Sequence, residues 1–226
     1  MRILLCAEGP HDMGRRDIWD RAHHIYRQED GWLQPLIRRG MATEIDHIEP
    51  RSRSELTILP KAGRAYRPWP GGHGDKALIA KLQAVAGEYD MLLFMVDTDS
   101  NAPADFAKIL AEIRNGFGRI EGDIRCIACV PMAASESWMM ADPAAWLAVS
   151  GQQIDELPPK PEDVWGHRDD PDGNHPHSFF ARICDRAELP DNPDTRRRIA
   201  EQIDLDVLSA SCPVSAAPFL AELAVA

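Results

Sequence analysis

The stretch DMLLFMVDTDS, residues 90–100, decides the fold. Its apolar residues 91–96 follow one another without a charge, which is typical of a strand covered on both faces in a parallel sheet. The run ends in Asp97, Thr98 and Asp99. Because side chains alternate along an extended chain, Asp97 and Asp99 are expected to project to the same side of it. The stretch therefore predicts a buried strand with two carboxylates at its carboxyl end.

The segments on either side of this strand alternate between strand and helix patterns. Residues 2–7 are a short apolar run that Gly9 and Pro10 end, so they predict a strand with Glu8 at its carboxyl end. The other elements predicted from hydrophobic spacing and turn residues are helices over residues 12–28, 75–86 and 103–117, strands over residues 42–48 and 124–130, and a loop over residues 60–74.

This order of elements predicts an α/β fold. Strands that alternate with helices form a parallel sheet through right-handed crossovers, here a Rossmann-like sheet of about four strands flanked by helices. A chain of 226 residues suggests one domain, or one domain with an appendage. We predict an α/β domain over residues 1–150 and a helical appendage over residues 151–226. The appendage is expected to pack on the sheet, since its apolar content is too thin for a core of its own.

The composition excludes several classes of protein. The hydrophobic fraction of 44% and the charged fraction of 27% are near the averages for globular proteins, which disfavours disordered and fibrous classes. The longest uncharged apolar run is far shorter than the roughly 20 residues that cross a bilayer. With no secretory signal recognised, we expect a cytoplasmic protein without a membrane span. The five scattered cysteines make no disulfide framework, and Cys126 and Cys129 are interpreted as buried strand thiols.

The charge of the chain is acidic overall but uneven. A net charge of −11 disfavours indiscriminate binding to nucleic acid, since phosphate contacts use Lys and Arg. Residues 51–81, the basic island, nevertheless contain seven basic residues and two acidic ones. This island is interpreted either as a surface that follows phosphates or as a solvated loop and helix face. Lys76 lies within it and is a candidate for contact with a substrate phosphate.

Carboxylates from two strands are expected to meet at one edge of the sheet. Parallel sheets bind ligands beyond the carboxyl ends of their strands, which is where Glu8, Asp97 and Asp99 would lie. Mg²⁺ prefers oxygen ligands and usually takes one or two carboxylates together with water and substrate phosphate. Such acids also close turns, cap helices or lie in surface loops. A magnesium site is favoured because clustered acids repel one another unless a cation offsets the repulsion.

Three stretches resemble the TOPRIM domain of topoisomerases, primases and OLD-type nucleases. They are LLCAEG at residues 4–9, LLFMVDTDS at residues 92–100, and PMAASESWMMAD at residues 131–142. The third is similar to a segment of a small uncharacterised bacterial TOPRIM-like family, some of whose members are encoded near ATPases. Together the three stretches cover about residues 1–145.

The resemblance implies a metal-dependent phosphodiester enzyme. Glu8 would be an acid/base group or a metal ligand, and Asp97 and Asp99 would be metal ligands. The family's third acid is replaced here by Asn101, and Glu136 is a candidate for the missing carboxylate. An acid at this position is equally well explained by the first turn of a helix, with Ser135 as its cap.

Other polar residues have simpler interpretations. His73, His167, His175 and His177 match no common zinc spacing and are interpreted as loop surface. Arg196 to Arg198 are interpreted as a solvated helix face. The Gly-rich stretch before Lys76 lacks the preceding strand and the following Ser or Thr of a phosphate-binding loop.

These patterns lead to three hypotheses about function. The first is a nuclease that uses Mg²⁺ or Mn²⁺ to cut DNA or RNA, as the effector of a bacterial phage-defence system. The second is a noncatalytic adaptor that binds nucleic acid or a partner ATPase, and the acidic surface suits a protein partner better than free DNA. The chain is also a candidate for a homo-oligomer. The third is a small-molecule phosphohydrolase that uses the same carboxylates.

Overall fold

The computed structural model describes residues 1–56 and 72–226 and has an α/β architecture. Strands β1 (Arg2–Ala7), β4 (His47–Ser52), β5 (Met91–Met95) and β6 (Arg125–Cys129) form a parallel sheet in the order β4-β1-β5-β6. An antiparallel hairpin of β2 (Arg15–Asp20) and β3 (Ile25–Glu29) precedes β4. The helices are α1 (Pro10–Met13), α2 (Leu33–Gly40), α3 (His73–Ala86), α4 (Pro103–Gly118), α5 (Ser135–Met139), α6 (Pro143–Ser150), α7 (Pro176–Arg186), α8 (Pro193–Gln202), α9 (Leu205–Ser211) and α10 (Ala216–Ala224).

The sheet is covered on both faces, as the unbroken apolar strands predict. Along β5, Met91, Leu93 and Met95 belong to one core cluster, whereas Leu92 and Phe94 belong to the other. The second cluster is completed by α3 and α4. The first is completed by α2 and by the C-terminal helices, with large buried side chains at Trp32, Trp138, Trp146, Phe180 and Phe219. The C-terminal helices therefore share one core with the sheet.

The helix predicted over residues 12–28 is wrong. Only α1 forms, and the chain then turns into the β2–β3 hairpin. Gly14 has φ +78°, and a Cβ there would lie 1.9 Å from the carbonyl oxygen of Glu29, so the chain crosses itself where a helix would continue. Trp19 and Tyr26 are cross-strand neighbours with ring centroids 5.1 Å apart. Both are exposed, so this segment has no apolar face that a helix could bury.

The strand predicted over residues 42–48 lies further along the chain, as β4. Its register is set by β1, since Arg2 is opposite His47 and Ala7 is opposite Ser52. Pro50 is tolerated because β4 is an edge strand and one of its sides needs no N–H donor. The other predicted strands and the helices of residues 75–86 and 103–117 are confirmed, with small shifts at their ends.

Two glycines set the distance between α3 and α4. A Cβ on Gly116 would lie 2.1 Å from the carbonyl oxygen of Gly74, and a Cβ on Gly74 would lie 2.7 Å from that of Glu112. The two backbones are thus in direct contact at the first turn of α3. This contact fixes the end of α3 that carries His73 and Lys76.

Much of the predicted loop over residues 60–74, and with it part of the basic island, lies outside the described residues. Elsewhere in the island, Lys81 is buried and donates to the carbonyl oxygens of Phe117 and Ile120, so it is not part of a phosphate surface. Within residues 1–56 and 72–226, no helix has the length and apolar character to cross a membrane.

Candidate active site

The predicted acids of β1 and β5 meet at the carboxyl edge of the sheet. Cys6 of β1 is opposite Phe94 of β5, so Glu8 and Asp97 follow neighbouring strands at equivalent heights. Asp97 as a residue is partly exposed, but its Oδ1 lies below the surface and has no hydrogen-bond partner in the described part of the chain. Burial raises the pKa of Asp97 well above its usual range, and the nearby charges of Asp12, Glu136, Glu8 and Asp99 raise it further. The five carboxylates therefore form one acidic cluster.

Asp99 does not continue the extended chain. Its φ of +48° is left-handed, so the backbone turns between Thr98 and Ser100 and leaves Asp99 exposed. The N–H of Thr98 donates to the carbonyl oxygen of Pro131 over 3.0 Å, and Ala133 donates to that of Ser100 over 2.9 Å. These bonds join the segment after β5 to the segment after β6, which brings residues 131–137 to the acidic cluster.

Asp12 is a member of the cluster that the sequence did not reveal. It lies within α1 and is buried, whereas the sequence placed it at the start of a longer helix over residues 12–28. Trp32 Nε1 donates to its Oδ1 over 2.9 Å, and the Gly9 N–H lies 3.4 Å from its Oδ2. Burial raises the pKa of Asp12 to about 6, although the hydrogen bond from Trp32 acts in the opposite direction. The sequence feature that could have indicated this role is the position of Asp12 four residues after Glu8. One short helical turn, α1, brings its side chain back to the edge of the sheet.

Glu136 is buried at the start of α5 and is already paired with cations. Arg196 Nη1 lies 2.7 Å from its Oε1, and His177 Nδ1 lies 2.6 Å from the same oxygen. Burial acts to raise the pKa of Glu136, but the His177 hydrogen bond and the Arg196 charge outweigh it and lower the pKa to about 2. The hydroxyl of Ser135 lies 3.5 Å from its Oε2. Ser135 is the first residue of α5 and not its cap, which is Ala134.

Arg196 is not on a solvated helix face. It is 7% exposed and binds two acids, Glu136 through Nη1 and Asp191 through Nε at 2.9 Å and Nη2 at 3.2 Å. Its guanidinium also lies 4.8 Å from the ring centroid of Phe180. The two carboxylates raise the pKa of Arg196 above its usual value although burial acts against this. Arg196 is thus a fixed positive charge behind the acidic cluster.

His175 and His177 are also not loop surface. His175 is buried and caps α7, since its Nδ1 accepts from the N–H of His177 over 3.4 Å. The two rings are 5.1 Å apart. The hydrogen bond to Glu136 raises the pKa of His177, whereas burial and the adjacent His177 lower the pKa of His175. The HPH sequence at residues 175–177 was the local signal of this pair, but only the fold shows that Glu136 is the partner of His177.

The remaining predicted residues lie around Arg53, just beyond β4. Arg53 forms an ion pair with Glu8, and its guanidinium lies 5.8 Å from the ring centroid of Phe94. Lys76 Nζ donates to the carbonyl oxygen of Arg53 over 3.0 Å. His73 Nδ1 is 3.5 Å from Arg53 Nη2, and burial together with the Arg53 charge lowers the pKa of His73. A cationic group thus borders the acidic cluster on the β4 side.

The side chains of the acidic cluster fit a metal ion in part. Within residues 1–56 and 72–226, no three His, Cys, Asp or Glu side chains stand close enough together to hold an ion as placed. The observation that fits a cation is the buried Oδ1 of Asp97, which has no hydrogen-bond partner among the described residues. The charges of four further carboxylates act on the same group and raise its pKa. No family model, curated protein or solved structure matches this chain. Fold and site define an α/β protein with a parallel sheet and an acidic cluster at its carboxyl edge.

Proposed function

We propose that this chain is a metal-dependent nuclease with a TOPRIM-like catalytic edge that uses Mg²⁺ or Mn²⁺. The observation that carries the proposal is the carboxylate of Asp97, whose Oδ1 is buried without a hydrogen-bond partner among the described residues. Burial and the charges of four other acids raise its pKa. Burying an unpaired carboxylate among like charges is costly. A divalent cation bound by Asp97 removes that cost, and oxygen ligands are those that Mg²⁺ prefers.

Four carboxylates are assigned to the metal in this proposal. Asp97 and Asp99 come from the segment after β5 and are its main ligands. Glu8 is a third ligand or the acid/base group, once it is released from the ion pair with Arg53. Glu136 contributes Oε2, because Arg196 and His177 both bind its Oε1. Arg196 then holds Glu136 in place, as the hydrogen-bonded neighbours of metal ligands commonly do.

The chemistry follows from these assignments. A bound divalent ion orients the phosphodiester, activates water and neutralises the leaving oxygen. Among the described residues, Lys76 uses one of its three N–H donors on the carbonyl of Arg53, which leaves two for a phosphate oxygen. Arg53, freed from Glu8, supplies a second cation at the same edge. The acidic remainder of the chain restricts binding to this edge, which suits a cytoplasmic effector of phage defence that acts on a defined substrate.

A second candidate function is a noncatalytic adaptor that binds nucleic acid or a partner ATPase. It is favoured by the pairing of two cluster acids within the described chain. Glu8 already binds Arg53, and Glu136 already binds Arg196 and His177. An adaptor needs no metal, and in this case the acids stabilise the fold through their ion pairs.

The test compares cleavage by wild type, Asp97→Asn and Asp123→Asn. Labelled single-stranded DNA, duplex DNA and RNA are incubated in Mg²⁺, Mn²⁺ or EDTA. Asp123 is the matched control, since it is exposed and precedes β6, at the opposite edge of the sheet. We expect metal-dependent cutting by wild type and Asp123→Asn, and a loss of about 100-fold or more in Asp97→Asn. Equal cutting by all three contradicts the assignment, and no cutting by any of them favours the adaptor.

A further inference from the structure

A cavity of about 470 Å³ is lined by the segment between α6 and α7 and by Phe179 of α7. Its lining includes the half-buried rings of Trp165 and Phe179. It also includes the exposed polar side chains of Lys160, Asp163 and Asn174. The volume falls in the range of pockets that hold small ligands, about 300–1,000 Å³. None of the roles assigned above uses these residues.

The cavity is connected to the acidic cluster by a row of rings. Trp165 lies 5.1 Å from His175, and His175 lies 5.1 Å from His177, measured between ring centroids. His177 in turn binds Glu136 through its Nδ1. A second connection is made by Asn101, whose side-chain amide donates to the carbonyl oxygen of Asp163 over 3.3 Å. A ligand in the cavity therefore lies next to the segment that carries Asp97 and Asp99.

The chemistry of the lining selects a flat ring with a polar edge. Aromatic side chains stack on nucleobases whatever their sequence. A carboxylate accepts from an exocyclic amino group, and an amide both donates to and accepts from a base edge. Lys160 adds a cation for an adjacent phosphate. Pro158, Pro159 and Val164 supply the apolar remainder of the lining, which suits the faces of a flat ring.

We propose that this cavity, defined by Trp165, Phe179, Lys160, Asp163 and Asn174, binds one unstacked nucleobase of a single-stranded nucleic acid. The neighbouring phosphodiester then lies over the acidic cluster, so the inference rests on the proposed function and names its substrate. A base inside a duplex is stacked and paired and cannot enter such a cavity without being extruded. Single-stranded or locally opened nucleic acid is therefore the preferred substrate.

Binding is measured first, without cleavage. The probe is a fluorescein-labelled single-stranded oligonucleotide, followed by anisotropy in EDTA, with wild type, Trp165→Ala, Trp165→Phe and Trp19→Ala. A lost base–aromatic stack should raise Kd about 5- to 150-fold in Trp165→Ala. Trp165→Phe keeps a ring and should bind like wild type. Trp19 is an exposed tryptophan on the β2–β3 hairpin and should be neutral. Circular dichroism and Tm verify that each variant is folded.

An abasic scan separates the cavity from nonspecific effects. A single abasic position, moved along the oligonucleotide, should weaken binding to wild type at one or two positions and make no difference to Trp165→Ala. The proposal is overturned if wild type binds no single-stranded oligonucleotide, if Trp165→Ala binds like wild type, or if only Trp19→Ala loses binding.

Cleavage by the same proteins in Mg²⁺ distinguishes the two proposals. If wild type cuts but the Trp165 and abasic changes have no effect, the nuclease stands and the base pocket fails. If nothing is cut but those changes weaken binding, the base pocket stands and the nuclease fails.

Discussion

His177 Nδ1 lies 2.6 Å from Oε1 of Glu136, although the two residues are 41 positions apart in the chain. The same oxygen accepts from Arg196, which is 60 positions away. One carboxylate oxygen thus joins α5, α7 and α8 at the edge of the sheet. The C-terminal helices are therefore part of the candidate site as well as part of the core.

Removing the charge of Glu136 should destabilise the fold. Glu136→Gln leaves the buried guanidinium of Arg196 with Asp191 as its remaining anion. Breaking a buried ion pair on one side typically costs about 3–5 kcal/mol. The free energy of unfolding in urea measures the loss. Glu222→Gln is the matched control, since its pair with Arg114 is exposed and should contribute at most about 1 kcal/mol. Equal stability of the two variants would contradict a buried ion pair.

The same pair should make stability depend on acid pH. In the folded chain the pKa of Glu136 is about 2, below its usual value of 4.5. The carboxylate therefore contributes stability that is fully present above pH 4.5 and is lost as the pH falls toward 2. The difference in unfolding free energy between wild type and Glu136→Gln should shrink over that window. A difference that stays constant from neutral pH to pH 2 would show that Glu136 is not held ionised.

The parts of the site that the sequence predicted are those set by local order. Glu8 and Asp97 directly follow apolar strands, and the carboxyl ends of parallel strands share one edge, so their meeting follows from the fold class. His177 and Arg196 could not be predicted in the same way. Their partner Glu136 lies on a different element, and sequence spacing carries no information on which helices pack together. Their charge alone suggested an exposed position.

The β2–β3 hairpin was missed for a related reason. Hydrophobic spacing indicates a helix or a strand only when the apolar residues form the face that the element buries. Trp19, Ala22 and Ile25 are all exposed, so their spacing matched a helix without any core behind it. The hairpin instead depends on Gly14 and Gly31, where an added Cβ would lie 1.9 Å and 2.4 Å from backbone oxygens.

The contact between α3 and α4 predicts that an alanine substitution in α4 lowers stability at Gly116 and not at Gly118. Gly116→Ala places a methyl group where the carbonyl of Gly74 lies, and forcing the helices apart should cost about 1–3 kcal/mol. The shift also displaces Lys76, so cleavage should fall together with stability. Gly118→Ala on the same helix is the control, since no atom in the described part of the chain lies within 4 Å of its added Cβ. Thermal unfolding and cleavage rates of both variants test this. A Gly116→Ala protein with the Tm and the cleavage rate of wild type would contradict the close contact.

Asp97 should reduce stability when no metal is bound. Burial and the neighbouring acids raise its pKa, so its contribution to stability falls as the pH rises above the usual value of 3.8. At neutral pH the metal-free fold carries this cost, and Asp97→Asn removes it. In EDTA the variant should therefore have a higher Tm than wild type, by about 2–4 °C for each kcal/mol regained.

Adding Mn²⁺ or Mg²⁺ should reverse that order. A ligand that binds only the folded state raises the Tm, by more when it binds more tightly, so wild type should gain stability and Asp97→Asn should not. Asp123→Asn removes the same charge from an exposed position and should behave like wild type in both buffers. A variant that is less stable than wild type in EDTA, yet responds equally to metal, would mean that Asp97 supports the fold and binds no cation. The thermal shift thus tests the metal site even if the nucleic-acid substrate is never found.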